Sequence, residues 1–70
     1  MLKLRRKREG LGLSRAEVAR RSRISPTEYG RIESGMVRPY PVWAVRIAEA
    51  IGHNAECAQE LFVEEDTDGD

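Results

Sequence analysis

An all-α fold, a compact bundle of five short helices, is predicted for this 70-residue chain by three features of its sequence. Two serine-led helix starts, Ser14-Arg15-Ala16-Glu17 and Ser25-Pro26-Thr27-Glu28, follow one another closely. Glycine and proline punctuate the rest at intervals that suit short helices. No stretch alternates apolar and polar residues in the period-two manner of a strand.

The first helix is expected from Leu2 to Glu9, with Gly10 and Gly12 free to take the left-handed conformation that ends it. The second covers Arg15 to Ser22 and the third Pro26 to Ser34, each opening with a capping box. In that motif the serine hydroxyl accepts from the backbone N–H three residues on, and the glutamate there reaches back to the serine N–H. Apolar staples accompany both boxes, Leu13 with Val18 and Ile24 with Tyr29. Pro26 sits where a missing N–H costs nothing, and Gly35 is the stop. After a loop from Met36 to Tyr40, a fourth helix begins at Pro41 and turns Ala44, Val45, Ile47, Ala48 and Ile51 inward before Gly52. Asn54 caps a fifth, Ala55 to Phe62, which offers Ala58, Leu61 and Phe62 to the core. Residues 1–63 form the domain on this reading, and residues 64–70 an acidic, disordered tail.

With 40% hydrophobic residues the chain can build one modest core and no second domain. No run approaches the roughly 18 apolar residues of a membrane span, and the basic N-terminus lacks a following apolar stretch, so a cytoplasmic location is expected. The single cysteine, Cys57, has no disulfide partner, and with His53 alone nearby there is no zinc ligand set. No glycine-rich phosphate loop and no carboxylate pair assemble a catalytic constellation, so neither an enzyme nor a cofactor is expected.

The zero net charge hides a segregation. All 12 Lys and Arg lie between Lys3 and Arg46, opposed there by Glu9, Glu17, Glu28 and Glu33, a net +8. From Ile47 to Asp70 there are eight acids and no Lys or Arg, a net −8. Ten of the cations are Arg, whose planar fork suits bidentate contact with phosphate or a guanine edge. A polyanionic partner for the first 46 residues follows.

From Leu4 to Phe62 the chain resembles the helix-turn-helix DNA-binding domains of the Cro/repressor-type (XRE) family, with a lambda-repressor-like bundle. The matching residues are Leu13-Ser14, Glu17-Val18-Ala19, Ile24-Ser25, Arg31-Ile32-Glu33, Gly35, Pro39 and Ile47-Ala48 with Ala50-Ile51-Gly52. The resemblance implies a prokaryotic regulator of transcription, a repressor, that lays its third helix in the major groove with the second across the phosphate backbone. Small Ala19 lets those helices cross closely, while Ile24, Tyr29 and Ile32 line the underside of the third.

Helical spacing then turns Pro26, Thr27, Gly30 and Arg31 outward, with the end of Glu28, as candidates for reading bases. Thr27 can meet a thymine methyl, and Arg31 can donate to guanine O6 and N7 or serve as a solvated or phosphate-bound cation. Glu28 is better explained as the capping-box acid than as an acceptor from cytosine, since a carboxylate near phosphates is repelled unless it meets a donor. Arg15, Ser25, Arg23 and Arg38 are the candidate phosphate contacts, Arg15 standing where the resemblance implies a phosphate grip. Arg8 and Glu33 match positions that the family joins in a structural ion pair.

Three departures from the family pattern carry expectations. Arg23 replaces the usual turn glycine, Gly30 interrupts the recognition helix and permits a flush approach to DNA, and Lys7 replaces an apolar residue, so the first helix leans on Leu4 and Leu11 with the lysine stem over the core. Trp43 is read as core filler. The resemblance also implies a homodimer on a palindromic operator, through Trp43, His53, Cys57, Leu61 or Phe62. The alternative reading is an antitoxin-like or adaptor protein whose acidic C-terminal half binds a protein partner. The acidic tail has three further readings, repelling DNA, occupying the basic groove or attracting a cationic partner, beside its default as a solubilising tail.

Overall fold

In the computed structural model, residues 1–65 are described; residues 66–70, most of the expected disordered tail, lie outside them. Four α-helices are present, α1 (Lys3–Gly10), α2 (Arg15–Ser22), α3 (Pro26–Glu33) and α4 (Pro41–Ala50), followed by a 3₁₀ segment, η1 (Ala55–Phe62).

Local chemistry explains the starts. The Ser14 hydroxyl accepts from Glu17 N at 3.0 Å and the Ser25 hydroxyl from Glu28 N at 3.1 Å. The reciprocal half of each expected capping box does not form among the described residues. Glu17 instead accepts from Arg20 at 2.6 Å and Arg21 at 2.8 Å, cations three and four residues on that outcompete a neutral N–H. Glu28 turns toward Arg31, 3.7 Å away.

The turn between α2 and α3 is left-handed at Arg23, with φ 59° and ψ 43°, a conformation that costs a residue with a Cβ about 1 kcal/mol. It brings Ile24 N back to Ala19 O at 3.0 Å, closing α2 as it turns into α3. Gly35 takes φ +86° after α3 without that penalty, and Met36 N bonds Arg31 O at 2.9 Å.

The core gathers Leu2, Leu4, Val18, Ala19, Ile24, Tyr29, Ile32, Ala44, Ile47, Ala48, Ile51, Ala58 and Leu61. α2 packs on α3 and α4, and η1 packs on α4 and α1. Leu13, Trp43 and Phe62 lie half-buried against this core, and Val45 is also half-buried. Trp43 is not simply filler, since its ring meets the exposed Tyr40 edge to face at 5.1 Å.

Four expectations need correction. Leu11 falls one residue past the end of α1, where it is 52% exposed, and Lys7 is exposed too. Leu2 is not the first residue of α1 but an extended residue that precedes it. The fifth element is a 3₁₀ segment with a kink at Cys57 (φ −109°), whose carbonyl lies 3.2 Å from His53 Nε2. Finally, Glu64 and Glu65, expected in the tail, are tied to the start of the chain. Leu2 and Glu64 form an antiparallel bridge, with Lys3 N donating to Val63 O at 3.1 Å and Glu65 N to Met1 O at 2.8 Å.

Candidate nucleic-acid interface

The inward face of α3 fixes the outward one. Tyr29, Ile32 and Glu33 are buried, so helical spacing turns Thr27, Arg31 and Ser34 directly away from the core, and all three are exposed, as is Pro26. Gly30 and Glu28 flank this row and are half-exposed. Ser34 was not among the residues named from sequence, although it stands two helical turns after Thr27 and the same spacing points to it.

The buried side of α3 is held by one carboxylate. Glu33, with 4% of its side chain exposed, accepts from Arg8 Nε at 2.7 Å and Arg8 Nη2 at 3.0 Å, and from the Tyr29 hydroxyl at 2.8 Å. Arg8 Nη1 donates to Leu13 O at 2.7 Å. The guanidinium therefore joins α1, the start of α2 and the end of α3. Its pKa is raised above the ordinary arginine value, chiefly by the hydrogen bond to Glu33. Burial, then the hydrogen bond to the same carboxylate, raises the Tyr29 phenol far above its usual range.

The candidate phosphate contacts are distributed around this row. Arg15, at the first position of α2, has 62% of its side chain exposed, and its Nε lies 3.6 Å from Glu33 Oε2. It therefore stands on the Gly30 flank of α3, where Met1, Arg5, Arg15, Gly30, Glu33 and Ser34 line a cleft of about 190 Å³. From sequence Arg5 belongs with Arg6, Lys7, Arg20, Arg21 and Arg23 to a cluster read as a solvated face or a source of nonspecific steering toward DNA; its place in this cleft has no sequence signal, because only the tertiary fold brings α1 beside α3. The Ser25 hydroxyl is occupied as an acceptor by the cap, which leaves its own proton to donate. Arg23 is exposed in the α2–α3 turn. Arg38 is exposed in the loop after α3 and lines a separate groove with Val37, Phe62 and Glu64, so it is not brought together with Arg15. Arg20 and Arg21 of α2 share Glu17, and those two hydrogen bonds hold the Glu17 carboxyl below its usual range.

Among the described residues no group of three or more His, Cys, Asp or Glu is placed to hold a metal ion. No helix among them is long and apolar enough to cross a membrane.

Comparison with known proteins agrees with this architecture. A family model described as a helix-turn-helix domain matches residues 2–61. Searches of curated proteins and of solved structures gave no match. Two serine-capped helices joined through a left-handed residue, the second with a polar face turned outward, lie within a match that spans most of the sequence: the chain belongs to the helix-turn-helix domain family.

Proposed function

We propose that this chain is a sequence-specific, double-stranded-DNA-binding regulator of transcription, a repressor that acts in the cytoplasm by occupying an operator, with no catalysis and no cofactor. The observation that carries the reading is the row Thr27, Arg31, Ser34: exposed polar side chains on one face of a helix whose other face is locked by a buried ion pair. A solvent-facing row of this kind, on a helix rigidly fixed to a basic domain, is suited to base edges in the major groove.

Roles follow from position. Arg31 donates to guanine, Thr27 meets a thymine methyl, and Pro26, Gly30 and the end of Glu28 border the read base pairs. In the free protein Glu28 stands 3.7 Å from Arg31 Nη1, so it orients that arginine and discriminates against bases that cannot compete for its donors. Arg15, Ser25, Arg23 and Arg38 hold phosphates and fix the register.

Binding as a homodimer on a palindromic site belongs to the same proposal. Leu61, among the residues first considered for the interface, is fully buried, which leaves half-buried Trp43, His53, Cys57 and Phe62 of that set, with Tyr40, Val42 and Val63 as exposed apolar residues that could join them. The same exposed apolar residues favour a second reading, an adaptor or antitoxin-like role in which this C-terminal region holds a protein partner.

Selection of binding sites from random duplex DNA tests the proposal. Half-sites about one helical turn apart are expected. Arg31→Ala should cost about 1–3 kcal/mol and relax preference at one base pair, whereas Arg15→Ala and Arg38→Ala should weaken all sequences alike and each reduce the salt slope by about 1. Absence of duplex binding at low ionic strength overturns it, and copurification of a tight protein partner then favours the adaptor.

A further inference from the structure

Two arginines from different helices line the cleft beside Gly30, Arg5 from α1 and Arg15 from α2. Each is held at its Nε, Arg5 by Glu9 at 3.0 Å and Arg15 more loosely by Glu33 at 3.6 Å. Neither donates a hydrogen bond from its Nη groups among the described residues. A guanidinium steadied at one edge presents the other, so both arginines keep their Nη donors for an oxyanion. The other basic pair, Arg20 and Arg21, is already satisfied by Glu17.

The rest of the wall suits an anion. Glu33 is the one acid that lines the cleft, and its oxygens already accept from Arg8 and Tyr29. The Ser34 hydroxyl donates to Arg31 O at 3.1 Å, so its proton is spent and recognition falls to the two arginines. On the α3 side the wall is bare. A Cβ at Gly30 would meet no atom within 4 Å, so the missing side chain leaves open space where the cleft meets the helix. The volume, about 190 Å³, admits a phosphate group, which displaces only a few waters.

We infer that Arg5 and Arg15 clamp one phosphate between them over Gly30, from α1 on one side and α2 on the other. The oxyanion site stands on the two arginines and the open wall. Its occupation by a phosphodiester of DNA rests on the DNA-binding reading proposed above, and places the clamped phosphate beside the outward row of α3, against Gly30 and Ser34. A free phosphate compound shares the same chemistry, and the two arms of the test separate these sources.

The test compares the full chain with R5Q, R15Q, R5Q/R15Q and G30L, the last of which fills the cleft while favouring the helix. Without DNA, pyrophosphate at low salt should shift the Arg5 and Arg15 Nε–H resonances with one midpoint, and G30L should raise that midpoint at least about threefold. With the selected duplex, a neutral methylphosphonate is placed at one linkage at a time. One linkage should weaken binding by the full chain about three- to tenfold, and that same linkage should become indifferent in both R5Q and R15Q. The salt slope of the double variant should fall by about 1 and not about 2, because the slope counts phosphates neutralised. Two different linkages silenced by the two variants, or a slope lowered by about 2, overturn the shared clamp. So does an R5Q variant that matches the full chain at every linkage. Joint pyrophosphate shifts in a chain that binds no duplex uphold the site for free phosphate while the DNA-binding reading falls; a silenced common linkage without such shifts upholds it for DNA alone.

Discussion

Glu33→Gln is the most informative single substitution, because one carboxylate accepts three hydrogen bonds from two side chains of the core. Its oxygens accept from Arg8 Nε, Arg8 Nη2 and the Tyr29 hydroxyl at 2.7, 3.0 and 2.8 Å, with both charged side chains at least nine-tenths buried. The glutamine amide retains one acceptor oxygen but sets an NH₂ against a guanidinium donor, leaving Arg8 charged and buried without its ion-pair partner, with Leu13 O and one amide oxygen as acceptors. Removing one partner of a buried pair costs about 3–5 kcal/mol. A domain of this size has roughly 4–10 kcal/mol in total, so the variant should melt at least about 12 °C lower by far-UV circular dichroism. Arg8→Met/Glu33→Met, which removes both charges, should recover part of the loss, although Leu13 O and the Tyr29 hydroxyl then lose partners. A loss below about 1 kcal/mol in Glu33→Gln would refute the reasoning, since it would mean that water already solvates the pair.

Four further outcomes are expected. Ser22 is fully buried and its Oγ has no hydrogen-bond partner among the described residues, so Ser22→Ala should stabilise the fold by about 1 kcal/mol in urea titration. Gly30→Ala should stabilise by about 0.5–1 kcal/mol, because the added methyl meets nothing, yet weaken duplex binding if DNA approaches that surface closely; calorimetry and gel shift separate the two effects. Arg23→Gly should relieve the left-handed residue, raising stability by up to about 1 kcal/mol while lowering the salt slope of DNA binding. The phenol of Tyr29 is raised in the folded state, so its contribution is fully present below the unfolded tyrosine pKa near 10 and is lost as pH rises beyond it, by up to about 1.4 kcal/mol per pH unit; Tyr29→Phe should flatten that alkaline decline in chemical denaturation.

What was legible in the sequence was local. The starts of α2 and α3 could be read because a serine and a backbone N–H three residues later are neighbours before any tertiary contact forms, and Thr27 and Arg31 follow from helical period once Tyr29 and Ile32 are inward. The failure of the reciprocal caps was also within reach, since Arg20 and Arg21 lie at helical spacing from Glu17. Contacts remote in sequence were not. Acidic composition made Glu64 and Glu65 read as tail, whereas they find backbone partners at Leu2 and Met1, more than 60 residues away. The kink at Cys57 coincides with His53 Nε2 lying 3.2 Å from its carbonyl, and the cleft depends on α1 lying beside the Gly30 flank. Neither has a signature in periodicity, which reports only which face of an element is apolar.

The Glu33 network ties stability to the proposed recognition more tightly than either requires alone. Glu33 is the last residue of α3, one position before Ser34 on the outward row, and its other contacts reach Arg8 in α1 and approach Arg15 at the head of α2. The helix proposed to read bases and the residue proposed to grip phosphate are thus referenced to one buried point. A rigid relation between them means that a phosphate contact at Arg15 sets the depth and register of α3 without ordering side chains anew, which reduces the entropic cost of binding. Weakening the network should therefore act on specificity before it abolishes binding. Tyr29→Phe, which removes one of the three hydrogen bonds and leaves the ion pair intact, should lower discrimination between cognate and random duplexes more than it lowers affinity for random duplex, because only the former needs α3 held at one angle.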